Sequence, residues 1–425
     1  MQNIIKIGAA ALALGLAQPA LADQAETKGG LTVKTDDGRF EFKLGGRFHI
    51  DTYAFDGCED GNAANGSGCP GGTTIGGMFL RRGYVTTTGK LYGWKFKSEF
   101  DPAASSSAQS TWREAWVSTE AIGGEIMIGQ FKPFRSMEEL TSSNEILIME
   151  RPYSSASSLY GGGGRQFQLG VGYKMPFSMG LWGLSVYNLK AIGGATNDGI
   201  GASTRLTFLP IASERSNLHV GVVYGQDDFN RTGTGAFPAG LGSGGPSAAT
   251  IAGRSSGTQV TGLTSVSLGT TAPGESQTTY SLEAAGAFGS FFFQTEYANS
   301  TLGQLSGASD MDVTSGYLQM SFFLTGETKP YKKDRATFGT PKPIGEAGAW
   351  ELAFRHDFIE NTDLTGATGR PEVTQMTLGV NWYMNPNVRF MLNYSMGEEE
   401  TVNTTTGVRR TRELDAIALR TQLSW

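Results

Sequence analysis

The chain has 425 residues with a formal net charge of −6; 60 of them are glycine, 11% are aromatic and only 17% are charged. A weak, acidic charge balance argues against nucleic acid as a partner. The hydrophobic fraction of 39% is thin for a soluble core of this length, yet normal where only alternate residues of a strand meet lipid.

In chain order, Lys6 precedes the apolar run Ile7 to Ala17, and Ala20-Leu21-Ala22 supplies the small residues of a cleavage site. Residues 1–22 are therefore expected to be a signal peptide. Its removal takes the charge from −6 to −7, since Lys6 is its one charged residue. That run is too short to span a bilayer as a helix, and no later stretch approaches the roughly 20 apolar residues a spanning helix needs. An exported chain of this kind enters a membrane as strands. Residues 23–38 are then a periplasmic N-terminal segment, and 39–425 a transmembrane β-barrel porin domain.

Period-two alternation recurs in about sixteen segments separated by turn residues. It predicts an all-β, antiparallel barrel of about sixteen strands with long external loops, one or more folded into the pore. In the first strand Phe40, Phe42, Leu44, Phe48 and Ile50 share one face, against Glu41, Lys43, Arg47, His49 and Asp51 on the other. Such a split needs lipid on one side and water on the other.

The following loop carries the chain's two cysteines, Cys58 and Cys69, among Gly, Asn and Ser. In the oxidising envelope a disulfide is expected, worth about 3 kcal/mol by the loop-entropy account. Thiol labelling of the folded, unreduced protein should find neither cysteine; quantitative labelling of both would refute the pairing.

The segment 78–88 contains adjacent Arg81 and Arg82, one of which an ideal strand sends toward lipid at about 2–4 kcal/mol near the midplane. Either a bulge turns both inward or the pair lies above the apolar band. The third strand sets Tyr92, Trp94, Phe96 and Phe100 opposite Lys95, Lys97, Glu99 and Asp101. Segments 111–119 and 125–131 alternate weakly. Further strands fall near 166–174, 181–189, 203–209, 218–226, 279–288, 291–298, 313–325, 349–358, 373–384 and 388–396. In the last, Leu414 to Trp425, Ile417, Leu419, Leu423 and Trp425 lie on one face, and Arg420 and Gln422 on the other.

With this strand set, short periplasmic turns alternate with longer external connections, as bacterial barrels require. The exception is 326–348. Its Lys329, Lys332, Lys333, Arg335 and Lys342, partly offset by Glu327, Asp334 and Glu346, either hold anions at the periplasmic mouth or form a solvated turn. Two external loops exceed a connector's length, 132–165 and the Gly/Ser/Thr/Ala-rich 227–278.

The expected lumen bases are Arg39, Lys43, Arg47, Lys95, Lys97, Arg205, Arg355, Arg389 and Arg420; the acids are Glu41, Asp51, Glu99, Asp101, Glu283, Glu296, Glu351 and Asp357. Catalysis finds no foothold. His49, His219 and His356 lack metal-ligand spacing, and the GxGxxG of Gly240, Gly242 and Gly245 lies in a loop without a strand-to-helix context. Neither a metal, a cofactor nor enzymatic activity is expected.

The stretches GVNWYMNPNVRFMLNY (379–394), FFLTGETKPY (322–331) and GAWELAFRHDF (348–358), with Phe79-Leu80-Arg81-Arg82, resemble the phosphate-selective porins O and P. The resemblance implies a trimeric outer-membrane channel of about sixteen strands carrying anions such as phosphate, with Arg81 and Arg82 both turned inward. Its partners would be small inorganic or organic anions, membrane lipid and, through the strand ending at Trp425, the barrel-assembly machinery. The chain departs from selective members at two places. Glu139, before Thr141-Ser142-Ser143, stands where they carry the phosphate-binding lysine, and Arg113-Glu114 replaces their Asp-Glu pair. A carboxylate in an anion's contact shell costs roughly 4 kcal/mol at about 4 Å and an effective dielectric near 20. Weak phosphate block is thus expected, with Glu139→Lys restoring it. The alternative reading is an adhesin or structural barrel with a blocked pore.

Overall fold

A computed structural model of the chain describes residues 24–26, 30–60, 76–102, 112–156, 166–189, 199–228, 249–250, 265–266, 274–304, 310–361, 363, 372–402 and 409–425. The signal residues, Cys69, the Cys58 side chain and the glycines Gly240, Gly242 and Gly245 lie outside the described residues.

Sixteen antiparallel strands form a closed barrel. They are β1 (Phe40–Asp60), β2 (Gly76–Leu91), β3 (Trp94–Phe100), β4 (Trp112–Ala121), β5 (Gly124–Phe131), β6 (Gln168–Phe177), β7 (Gly180–Asn188) and β8 (Ile200–Ala212). The second half comprises β9 (Ser216–Asp228), β10 (Gly274–Phe288), β11 (Phe291–Gln304), β12 (Met311–Phe323), β13 (Ala349–Asn361), β14 (Glu372–Tyr383), β15 (Val388–Val402) and β16 (Arg409–Ser424). Each pairs with the next, and β16 returns to β1 from Arg412↔Asp60 to Ser424↔Arg47. Closure leaves no strand edge for lipid to meet, which is why strands can span a bilayer at all.

The alternation read from the sequence is the lipid/lumen alternation. In β16 Ile417, Leu419, Leu423 and Trp425 are exposed outward while Arg420 and Gln422 are buried inside. A girdle of stacked aromatics, Trp350 on Trp382 on Phe390 at 5.4 Å each, marks the end where the short turns lie. At that end two-residue hairpins hold both central residues at positive φ, Tyr92-Gly93 (48°, 85°) and Ile122-Gly123 (54°, 74°), matching the twist of the flanking strands.

Two differences from the sequence reading stand out. Strands run farther on the external side, β1 to Asp60 and β15 to Val402, where Glu398, Glu399 and Glu400 pair with Glu413, Arg412 and Thr411. Beyond the lipid both faces are wet, so hydrophobic alternation disappears although backbone pairing continues. Arg39, expected in the lumen, is an exposed turn residue paired with Asp37 at 2.8 Å. The N-terminal segment adds a short strand, Leu31–Lys34, along β1 from Leu44 to Glu41, covering the part of β1 that extends past the chain end.

Two segments enter the lumen from opposite ends. The third external loop, hereafter L3 and described at 132–156 and 166–167, comes from one side. From the other, the 324–348 turn folds upward as a small hairpin, Tyr331–Lys332 with Thr337–Phe338. Ala336, Thr337 and Phe338 are buried, and Phe338 joins Met137, Leu147 and Ile148 of L3 and Phe292 of β11 in one apolar cluster.

Candidate functional site: the lumen constriction

L3 leaves β5 at Lys132-Pro133 and makes two short helices, Met137–Leu140 and Tyr153–Ala156. Ser136 Oγ accepts from the Glu139 N–H at 3.2 Å. The wall carboxylate of Glu296 accepts from Ser136 Oγ and from the Met137 and Glu138 N–H groups at 3.0, 2.6 and 3.2 Å. A helix start presents unpaired N–H groups, and a carboxylate fits them by charge and geometry.

The loop then turns at 143–145 and bends through 147–150, its backbone held by side chains of β13–β16. Arg389 donates to the Ile146 and Leu147 carbonyls at 2.9 and 3.3 Å, and Asn381 to Leu147 at 3.1 Å. Asn393 Oδ1 accepts from the Met149 N–H at 2.9 Å; Arg355 donates to the Glu150 carbonyl at 2.8 Å and Arg420 to that of Met149 at 2.5 Å. Parity puts Arg355, Arg389 and Arg420 among the lumen bases and makes them candidates for anion contact. The structure places them instead beneath L3, 1%, 2% and 0% exposed, satisfying backbone carbonyls that burial would otherwise leave orphaned.

The Glu150 side chain lies between Arg81, which binds it bidentately at 2.7 and 2.8 Å, and Arg420 at 2.9 Å. Burial alone would raise the Glu150 carboxyl, but Arg81, Arg82 and Arg420 hold it well below the usual carboxylate range. Arg81 and Arg82 both point inward because the β1–β2 register slips between His49↔Arg82 and Ile50↔Leu80, leaving Arg81 as the extra residue of a bulge. Arg82 donates to His49 Nδ1 at 3.5 Å, and His49 Nε2 donates to Asn144 Oδ1 at 2.9 Å. Among the described residues no carboxylate pairs with Arg82 in an ion bridge.

The open part of the lumen lies against β1–β6. Inward side chains of β8–β16 such as Arg205, Glu283, Glu351 and Asn381 are buried under L3 and the hairpin, while Arg47, Lys97, Arg113, Glu114 and Lys174 keep part of their surface exposed. Here Arg47 Nη1 donates to Ser142 and Ser143 Oγ at 3.3 and 2.8 Å, its Nη2 meets Glu99 at 2.9 Å, and its guanidinium stacks on Tyr84. Lys97 bridges Glu114 at 3.0 Å and Glu99 at 3.6 Å; Arg113 pairs with Asp101 at 2.9 Å. Lower down, Lys95 and Lys174 share Glu125 at 3.2 and 3.4 Å beside a cavity of about 620 Å³ lined also by Glu120 and Asp334. Lys332 is tied to Glu145 of L3, whereas Lys333 stays exposed.

Glu139 is not in the anion shell that the sequence suggested. Its carboxylate is buried against Arg135 at 2.9 Å, whereas Ser142 and Ser143 meet Arg47. The repulsion expected from it is thereby removed, because its charge is already neutralised. A cation the sequence reading passed over stands close by: Lys132 Nζ donates to the Glu139 carbonyl at 2.6 Å and weakly to that of Thr141 at 3.4 Å. Burial and the neighbouring Arg151 push this ammonium well below the usual lysine range. Arg151 was missed likewise; it donates to the Thr141 carbonyl at 2.7 Å. Lys132's place directly after β5, at the start of an inward-folding loop, was the available signal for it; none marked Arg151.

A family model described as phosphate-selective porin O and P matches residues 42–425. Porin O of Pseudomonas aeruginosa is 29% identical over 430 residues, covering 94% of this chain and 94% of that protein. Among solved structures, an anion-selective porin from Comamonas acidovorans superposes with a TM-score of 0.55 at 12% identity, over 91% of this chain and all of that one. The trimer form of OmpT, an outer membrane protein of Vibrio cholerae, gives 0.52 at 11%, over 91% and 99%.

Proposed function

Because this chain belongs to the phosphate-selective porin O and P family, and is thus an outer-membrane porin of a Gram-negative bacterium and not an enzyme, we propose that it passes small anions, phosphate among them. One observation carries the reading: Arg47 and the Ser142 and Ser143 hydroxyls converge on the open side of L3. Guanidinium and hydroxyl donors at one point are what an oxyanion needs. Arg82 reaches His49 and Lys132 the Glu139 and Thr141 carbonyls of L3, while Arg47, Lys97 and Arg113 have carboxylates that balance them. The unbalanced cations give the passage its sign. Residues 23–38 as a periplasmic segment, a homotrimeric assembly and delivery through the Trp425 strand to the assembly machinery belong to the same reading.

The test is the reversal potential of the purified protein in planar bilayers under a salt gradient, with and without phosphate. An anion-selective potential and a current reduced by phosphate are expected. A folded barrel that carries no current would favour the structural or adhesive reading instead.

Lys132 supplies a sharper check. A unit charge about 4 Å from a permeating ion in a water-like medium is worth about 1 kcal/mol, or about fivefold in permeability ratio. Lys132→Met should lower anion preference by up to that factor. Since its folded-state pKa is lowered, the ammonium is charged at low pH and discharges below the ordinary lysine range as pH rises. Anion preference of the wild type should therefore fall as pH rises through that lowered titration, and the variant should lack the fall. Equal titration of both proteins would remove Lys132 from the passage.

A further inference from the structure

The periplasmic hairpin is a fixed post. Arg205 of β8 donates to the Arg335 and Ala336 carbonyls at 3.0 and 2.7 Å, Tyr331 OH meets His219 Nδ1 of β9 at 2.7 Å, and Lys329 pairs with Glu351 of β13 at 3.1 Å. Phe338 packs edge-on against Phe292 at 5.0 Å. The wall thus grips the hairpin on several strands, and its Lys332 reaches up to Glu145 of L3.

Glu145 belongs to the turn that carries the constriction. Its N–H donates to the Ser142 carbonyl at 2.8 Å, the Ile146 N–H to the same oxygen at 3.2 Å, and the Asn144 N–H to Ser142 Oγ at 3.3 Å. On its other side the turn presents Ser142 and Ser143 to Arg47. From the wall it is also held at Asn144, by His49 and by Gln422, which donates to the Asn144 carbonyl at 3.2 Å. Any shift of Glu145 moves the two serine hydroxyls, because they share one hydrogen-bonded turn.

We propose that the Lys332–Glu145 ion pair is a latch by which the periplasmic hairpin sets the position of L3, making both residues positioning residues for the constriction. The geometry joins segments that enter the lumen from opposite faces of the membrane. The width of the passage at L3 is then governed from the periplasmic end. The proposal rests on the reading of this chain as a channel.

Single-channel recording tests it on the full-length protein, with folding checked by heat-modifiable migration. Wild type should dwell almost entirely in one steady level. Lys332→Met and Glu145→Gln should each raise the share of time in a second, rarely visited level about fivefold over wild type; an ion pair whose lysine is partly exposed is modest, and ~1 kcal/mol is that ratio. Lys332→Arg, which keeps the cation, and the exchanged pair Lys332→Glu with Glu145→Lys should return toward the steady level. Should Lys332→Met fail to fold, Glu145→Gln carries the test alone. Wild-type traces from the neutralised variants would overturn the latch while leaving the channel intact, as would loss of steadiness in Lys332→Arg. Absence of current in the wild type would overturn the channel reading and the latch together.

Discussion

Deleting Leu423 to Trp425 should abolish the folded barrel. These residues complete closure: Leu423 pairs with both Val388 and Phe48, the Trp425 N–H donates to the Gly46 carbonyl at 3.1 Å, and the Gly46 N–H donates back to Trp425 at 3.1 Å. The Ser424 N–H binds the Asn387 carbonyl at 2.8 Å, and the Trp425 ring packs on Phe48 at 5.2 Å. Truncation exposes those β1 and β15 backbone groups at several kcal/mol each wherever lipid replaces water. It also removes two outward apolar side chains. The truncated chain should accumulate unfolded in the periplasm or be degraded, whereas Trp425→Phe, which keeps backbone and aromatic, should assemble. Normal amounts of heat-modifiable barrel from the truncation would refute the closure assignment.

The second large effect is expected at Arg420. Its side chain is fully buried, bound bidentately to Asp51 at 2.7 and 2.6 Å and to Glu150 at 2.9 Å. It joins three things: the last strand, the first strand and L3. Arg420→Met leaves Asp51 without its guanidinium and Glu150 with Arg81 alone, and breaking a buried pair from one side costs about 3–5 kcal/mol. The folded variant should unfold at lower denaturant by that amount and show noisier, altered conductance from a loosened L3. Adding Asp51→Leu should recover much of the stability, since the uncompensated charge is then gone. An unchanged unfolding midpoint for Arg420→Met would show that the triad does not bear on stability.

Much of the barrel was legible along the chain because lipid imposes a strict rule on every second residue. Phe48 and Ile50 outside, His49 and Asp51 inside, and the same split at Leu419 and Arg420, follow from that rule alone. The ends of strands were not legible: above the membrane Glu398 to Glu400 still pair, but no solvent contrast marks them. The Arg81-Arg82 pair announced an irregularity, since two adjacent arginines cannot both obey the alternation. Only the register slip identified it as a bulge.

The sequence by itself determined the membrane fold, the inward face of each well-patterned strand and the presence of an unusual third external loop. It could not say which inward charges meet water. That was decided by tertiary structure, because L3 and the 324–348 hairpin cover the β8–β16 wall and part of β1–β2, and leave partly exposed only some inward side chains of β1–β6, such as Arg47, Lys97 and Arg113. Arg355, Arg389 and Arg420 share the inward parity of Arg47, yet they hold loop carbonyls while Arg47 faces the serines. Glu139 and Lys132 were separated in the same way, one turned to Arg135 and the other to the loop's carbonyls. Parity is a property of one strand and its neighbours; occupancy of the lumen depends on residues hundreds of positions apart, and no local pattern encodes it.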